Sequence, residues 1–447
     1  MLRTEEPAPR PRRVPRRPVA PWLLVYLVAL ALRVAYTFVA AGPNATPTSD
    51  SYEYDSVAWN LARGPGFALN GAGGPYLTAF VPPVLPWVVS LLYRMIGHHF
   101  FAALMLQCAI GALVPLLLAA LASATFGAGV AAWAAWLAVF HPVLIFFSGY
   151  LLTETTFTVT LLAALLASVG WLKTPRPGRA VGAGMLWGIA ALTRPTALPL
   201  PGLVALWAWV PLGLTVAPRD RIRQVLLLVL GVALVVSPWT IRNAVALRAF
   251  VPVTTGGGRA LLDSNNPVLW NDPAARGGAN TVYDVEPWAT KFRGLTEPEG
   301  DRLARAEAMK FLVANASQWP AMAGAKLARF WRLTTESHRT GPWSRSGSPI
   351  AELLRRFDPL LAWSVVVLPL ALWGLGRALA GPRRWFLSLP LWIIAYFTLL
   401  ACVYWGALRM RVPVEPLVAL FAAAGIEDLR RRRQQRARGF RVIEGRR

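Results

Sequence analysis

The segment Asp50-Ser51-Tyr52-Glu53-Tyr54-Asp55 places three carboxylates within six residues, an arrangement able to take a proton from an attacking hydroxyl. Ser49 stands where it can cap a helix whose apolar positions run to Leu61, and Gly64 can end it. Asp50 then falls in the first turn, where the helix dipole favours a carboxylate. Two readings stay open: Asp50 caps the helix, or Asp50 is a general base. Asp55 and Glu53 are its alternates.

A further acid, Glu154, lies in Leu151-Leu152-Thr153-Glu154-Thr155 at the mouth of an otherwise apolar stretch. A carboxylate at that depth faces a cavity or pairs with a cation, here Arg194 or Arg242. Three basic sites accompany it: Arg194, Arg242 and the pair Arg409 and Arg411 before Val412-Pro413. Guanidinium forks match phosphate oxygens; the competing reading is snorkelling to lipid headgroups. No nucleotide-phosphate loop, zinc signature or nucleophile elbow occurs. No metal ligand set is legible, and a divalent cation stays an open question. The vicinal pair His98-His99 reads as an interfacial turn. Asn44-Ala45-Thr46 and Asn315-Ala316-Ser317 match glycosylation acceptors, which matter only in a eukaryotic source.

These residues must be positioned by a chain that is 55% hydrophobic and only 15% charged over 447 residues. A soluble core cannot hide that much apolar surface, so the bilayer must. The net charge of +24 comes almost wholly from Arg, gathered in short runs between apolar stretches, which is the positive-inside pattern. A nucleic-acid binder would need a basic stripe on a folded surface; here the basic runs lie in loops and tails, and no nucleic-acid partner is expected. Cys108 and Cys402 sit in apolar stretches and read as small buried hydrophobes rather than a disulfide or metal framework. Arg-rich, Lys-poor usage suggests a GC-rich bacterium.

The basic runs at the N-terminus, Lys173–Arg179, Arg219–Arg223, Arg377–Arg384 and from Arg430 onward all want the cytoplasmic side. Apolar stretches at 20–41, 99–121, 128–148, 151–172, 181–193, 196–215, 225–242, 359–380, 385–404 and 412–428 can cross, about 20 residues being needed for an untilted span. Ten spans with both termini inside satisfy every run. The stretch 79–96 opens with Pro82, Pro83 and Pro86 and would invert the later loops if it crossed, so it is predicted to be a juxtamembrane or re-entrant helix on the outer side. The sequence therefore divides into a disordered basic cytoplasmic tail (1–19), an N-terminal transmembrane catalytic module (20–242) with the first outer loop at 42–97, a large periplasmic or extracellular loop (243–357), C-terminal transmembrane helices (358–429) and a basic cytoplasmic tail (430–447). Proline after Arg194 predicts a helix break there. In the large loop, Leu303, Ala306, Phe311 and Leu312 predict amphipathic helices over Asp301–Thr334 lying near the headgroups. Gly256-Gly257-Gly258 and Asn265-Asn266-Pro267 predict irregular chain in the rest.

Taken in order, several segments resemble the GT-C membrane glycosyltransferases, specifically the family thirty-nine branch of protein O-mannosyltransferases and the aminoarabinose transferase of lipid A. They are Asp50 through Gly64-Pro65-Gly66-Phe67; Pro82-Pro83-Val84-Leu85-Pro86; Leu152-Thr153-Glu154; Leu192-Thr193-Arg194-Pro195; Pro238-Trp239-Thr240-Ile241-Arg242-Asn243; Phe250-Val251-Pro252-Val253; Asn265-Asn266-Pro267; and Arg409 to Pro416. The resemblance runs from Pro21 to Leu429. Relatives with the clearest catalytic motif carry adjacent Asp-Glu, whereas Ser51 and Tyr52 separate Asp50 from Glu53 here, so the choice between Asp50 and Asp55 as base stays open.

The resemblance implies an all-α polytopic membrane protein and an inverting transfer of a hexose or pentose. The sugar would move from a polyprenyl-phosphate donor to a hydroxyl of a protein, lipid or glycan on the non-cytoplasmic face. Asp50, Asp55 and Glu154 are then the catalytic candidates. Arg194, Arg242, Arg409 and Arg411 would hold the donor phosphate, and Glu53, Tyr54 and Asn243 would position substrate. A lipid or sugar flippase is the alternative reading, but it predicts matched halves and small outer loops. A polymerase or ligase using diphosphate-linked glycans is another, separable by its donor.

Overall fold

The computed structural model describes residues 20–332, 359–381 and 384–444; the expected tail 1–19 and the stretch 333–357 of the large loop lie outside them. The chain runs α1 (Ala20–Ala40), α2 (Asp50–Arg63), a hairpin β1 (Ala68–Gly71) and β2 (Gly74–Leu77), then α3 (Val84–Ile96), α4 (Phe100–Gly111), α5 (Val114–Thr125), α6 (Ala128–Val139) and α7 (Pro142–Ser148). It continues through α8 (Thr153–Lys173), α9 (Pro177–Thr193), α10 (Leu200–Thr215) and α11 (Pro218–Leu247). Beyond these come α12 (Gly257–Ser264), α13 (Pro267–Asn271), α14 (Trp288–Phe292), α15 (Glu297–Ala314) and α16 (Trp319–Phe330), and finally α17 (Pro359–Leu379), α18 (Arg384–Val403), α19 (Leu408–Arg411) and α20 (Glu415–Glu444). The protein is a multi-pass membrane protein, helical among the described residues apart from one short hairpin.

Helix stands at each of the ten apolar stretches. Among the described residues five helices are long and apolar enough to cross a bilayer if α4 and α5 are taken as one, six if α6 and α7, bent by 51° at Phe140 and His141, also form one span. Several elements extend past the hydropathy limits: α11 starts at Pro218 and ends at Leu247, so the Pro238–Asn243 motif is helical, and α20 carries the Arg430 run to Glu444. In lipid no hydrophobic effect drives helices together, so close backbone approach and hydrogen bonds must. A Cβ on Gly184 of α9 would stand 2.0 Å from the Leu228 carbonyl of α11, and one on Gly374 of α17 only 1.9 Å from the Phe421 carbonyl of α20. Buried polar groups pair between helices: Trp171 donates to Gln224 at 2.9 Å and Trp187 to Ser168 at 3.0 Å.

The long connecting segment is more ordered than its turn-forming residues suggest. Gly256-Gly257-Gly258 opens α12 instead of making a loop, because α12 packs directly on α15: a Cβ on Gly258 would lie 2.0 Å from the Asp301 carbonyl, and the Asp301 carboxylate accepts from the Gly258 N–H at 2.6 Å. Together with Val282 and Trp288 they close a small core separate from the membrane bundle. The buried face of α15 is Gly300, Asp301, Ala304 and Ala308, not the predicted Leu303, Ala306, Phe311 and Leu312 face, and the helix starts at Glu297 under a Thr296/Glu299 capping box. The helix packs on protein first, while Leu295, Met309, Val313 and Trp319 in and beside it leave large apolar surface exposed.

Candidate active site

Helix α2 has its two ends where the sequence puts them, but by different means. Gly64, at φ 122°, ends it with an N–H to the Asn60 carbonyl. Ser49 occupies the N-cap with φ 52° and makes no side-chain cap; its hydroxyl donates to Asp50 Oδ1 at 3.3 Å. The Asn60 amide donates to the Ala68 carbonyl and to Asn70 Oδ1, both at 2.9 Å, tying the hairpin to α2. The hairpin has no counterpart in the sequence reading, although Asn70-Gly71 and Gly73-Gly74 supply turn residues.

Four side chains from distant parts of the sequence converge at the start of α2. Arg409 donates from Nη1 to Asp50 Oδ2 and from Nε to Glu154 Oε1, and Arg194 Nη1 reaches the same Glu154 oxygen at 3.3 Å. Each is delivered by a local device. The Arg194-Pro195 break ends α9 with Arg194 in an extended conformation, φ −153° and ψ 119°; Glu154 is the second residue of α8; Arg409 rides on the single turn α19 between α18 and α20. Glu154 is fully buried while Asp50 is 43% and Arg409 31% exposed, so the cluster has a dry floor and a solvated rim. Tyr54 is buried beside Thr153, and burial pushes its phenol up.

Burial alone would raise the Asp50 carboxyl, but the charge and hydrogen bond of Arg409, with Ser49, leave it below the usual range. Glu53, one turn along α2, has no such support. Burial first and then the Asp50 charge push it up to about 7, against the opposing charges of Arg409 and Arg259.

The remaining candidates stand elsewhere. Asp55 accepts from Tyr93 at 2.5 Å and pairs with His98 Nε2 at 2.9 Å, and the His98 ring stacks on Trp59 with centroids 4.9 Å apart. It joins α2 to the end of α3, with His98 reaching it from the exposed turn between α3 and α4. Arg242 gives Nη1 to the Thr78 carbonyl at 2.6 Å and Nη2 to Phe67 at 2.8 Å, packed over Trp239 and Phe67. Asn243 donates to the Val251 and Val253 carbonyls. Arg411 pairs with Glu415 at 2.5 Å, next to buried His141. Among the described residues no group of three or more His, Cys, Asp or Glu gathers to hold a metal, and the Asp50 and Glu154 carboxylates converge on guanidinium, a donor set that does not fit a cation.

A cavity of about 560 Å³ opens beside α2, lined by Glu53, the hairpin residues Leu69, Tyr76 and Leu77, Phe80, the end of α11, Arg259 of α12 and the start of α15 at Leu295–Pro298. Neither the hairpin nor α12 was expected from the sequence, and Arg259 carried no signal of its role there.

Residues 81–241, just over a third of the chain, match the family model described as dolichyl-phosphate-mannose-protein mannosyltransferase. No curated protein matches the sequence. Among solved structures, the archaeal oligosaccharyltransferase AglB of Archaeoglobus fulgidus, in complex with an inhibitory peptide and a dolichol-phosphate, superimposes with a TM-score of 0.55 at 16% identity, covering 95% of this chain and 52% of that one. A second structure of an oligosaccharyltransferase from that organism, a complex with Zn and sulfate, gives 0.55 at 15% identity over 94% and 50%. ArnT of Cupriavidus metallidurans bound to undecaprenyl phosphate gives 0.45 at 17% over 92% and 78%. The chain spans about half the length of the two oligosaccharyltransferases, and at such identities the likeness is one of fold.

Proposed function

We propose that this chain is a GT-C superfamily membrane glycosyltransferase that moves a sugar from a polyprenyl-phosphate donor to an acceptor hydroxyl on the non-cytoplasmic face of the cell membrane. The observation that carries the reading is the convergence of Asp50 and Glu154 on Arg409, with Arg194 on the same Glu154 oxygen, beside a cavity. Support for the donor class comes from the oligosaccharyltransferase of the same fold, whose structure holds a dolichol-phosphate.

Arg409 is the more exposed cation of the cluster and Arg194 its more deeply set neighbour. A lipid phosphate at headgroup level meets Arg409 from the rim that Asp50 now occupies, and two guanidinium groups stabilise the phosphate as the sugar departs. Glu154, dry and held by both arginines, fixes their orientation. A carboxylate of α2 takes the acceptor proton as the acceptor oxygen attacks the anomeric carbon from the face opposite the phosphate, which inverts that centre in one displacement. The basic runs keep both termini inside and the α2 side outside. Arg242, Arg411 and Asn243 act here as framework, since their donors already serve backbone carbonyls or Glu415.

The test is transfer in membranes with a panel of polyprenyl-phosphate sugars, read by acceptor mass. Arg409→Ala should lower transfer by about a hundredfold or more, the scale of losing one group that stabilises developing charge. Undiminished transfer by a well-expressed Arg409→Ala protein would contradict the assignment.

A further inference from the structure

Four carboxylates stand at or near the start of α2, and three are engaged. Asp50 accepts from Ser49 on Oδ1 and from Arg409 on Oδ2; Asp55 accepts from Tyr93 and pairs with His98; Glu154 takes both arginines on one oxygen and is fully buried. Glu53 alone has no hydrogen-bond or ion-pair partner among the described residues, and it alone of the four lines the cavity. The other acid on that wall, Glu297, is saturated by the Thr78 hydroxyl at 2.6 Å, the Ala79 N–H at 2.9 Å and the Thr255 hydroxyl at 2.6 Å. Glu53 and Asp50 are three residues apart on one helix and so share a face; a group in the cavity and a lipid phosphate at Arg409 can meet along that face.

Resting on the glycosyl-transfer reading, we propose that the cavity beside α2 seats the acceptor, a neutral hydroxylated molecule such as a sugar unit, and that Glu53 takes its proton while Asp50 is the positioning residue that holds Arg409. The acceptor oxygen forms a bond to the anomeric carbon, its proton passes to the Glu53 carboxylate, and the carbon–oxygen bond to phosphate breaks with its electron pair leaving on the polyprenyl phosphate.

The cavity volume falls in the range of small-ligand sites. Its wall combines the Tyr76 and Phe80 rings and leucines with Glu53, Glu297 and Arg259. A sugar ring presents an apolar face and a hydroxyl edge to such a wall. Two carboxylates against one guanidinium disfavour an anionic acceptor end. The charged and titratable groups around Glu53 are Asp50 on its own helix, Arg409, Arg259, Glu297 and Tyr76. Their balance leaves Glu53 with a proton affinity matched to neutral pH, which suits a base, whereas Asp50 is a weak one.

The experiment uses dicyclohexylcarbodiimide, which modifies protonated carboxyl groups in apolar surroundings, on the purified full chain. Peptide mass mapping should find Glu53 labelled, with labelling falling as pH rises through about 7 and absent in Glu53→Gln. In parallel, Glu53→Gln should bind polyprenyl phosphate as wild type does but lose transfer by at least a hundredfold, and Glu53→Asp should keep part of it. Absence of labelling at Glu53 overturns the proposal whatever the protein does. Labelling together with normal transfer by Glu53→Gln overturns it while the transferase reading stands. Labelling with no transfer by wild type from any polyprenyl-phosphate sugar overturns the transferase reading, and the proposal with it.

Discussion

The two arms of Arg409 should contribute unequally to stability. Glu154 has no exposed surface, so removing its partner leaves a charge in a dry site, where breaking a buried pair costs about 3–5 kcal/mol. Arg194 at 3.3 Å retains part of the compensation, which places the coupling at the lower end, about 3 kcal/mol. The Asp50 arm joins side chains that are 43% and 31% exposed, and solvent screening holds that coupling to about 0–1 kcal/mol. Two double-mutant cycles separate them, one on Arg409→Met with Glu154→Gln and one on Arg409→Met with Asp50→Asn. The readout is unfolding of purified protein in mixed micelles by added dodecyl sulfate, followed by tryptophan fluorescence. Equal couplings, or a larger one for Asp50, would refute the picture of a dry floor and a solvated rim.

Glu53 also predicts a pH dependence of stability. Its folded value, about 7, lies above the ordinary carboxylate value of 4.5, so the folded state holds more protons between them and stability falls as pH rises through that window. Glu53→Gln should therefore stabilise the protein at pH 8, by about 1 kcal/mol after allowing for partial exposure, and change little at pH 4; equal effects at both pH values would contradict this. Arg242→Lys removes the fork that holds the Thr78 and Phe67 carbonyls, so proteolysis should become faster within 64–83 while polyprenyl-phosphate binding is unchanged. Gly258→Ala drives a methyl into the Asp301 carbonyl and should destabilise the α12–α15 core by about 1–3 kcal/mol, seen as earlier cleavage of that segment on heating. Asp55→Asn should cost about 1–3 kcal/mol by weakening the bonds from Tyr93 and His98, without moving the pH dependence of transfer.

The bundle was legible because lipid-facing helices announce themselves by length and apolarity, and the Arg194-Pro195 break because proline cannot continue a helix. Asp50, Glu154, Arg194 and Arg409 could be named singly, since charge is costly at those positions. Their convergence could not be read, because Arg409 meets partners 359 and 255 positions away along the chain. Arg242 and Arg411 look the same as Arg409 in sequence. Only the fold shows that the first is turned onto backbone carbonyls and the second onto Glu415, so neither joins the cluster. The α15 face was misjudged for a related reason: with protein packed against it, small Ala304 and Ala308 make the close contact, and the larger apolar residues that dominate a periodicity count are left toward the rim. Glu53 stood beside Asp50 as an alternate, and nothing in its neighbours signalled that it would be the carboxylate left without a partner.

Bond transfer from a polyprenyl-phosphate sugar is read most directly by mass spectrometry of both products from purified protein in proteoliposomes. The liposomes carry an isotopically labelled donor and a neutral glycan acceptor. A transferase should leave labelled sugar on the acceptor together with an equal amount of free polyprenyl phosphate, both lost in Arg409→Ala. Intact donor redistributed between the two leaflets, with no labelled acceptor, would contradict it and establish a transporter instead.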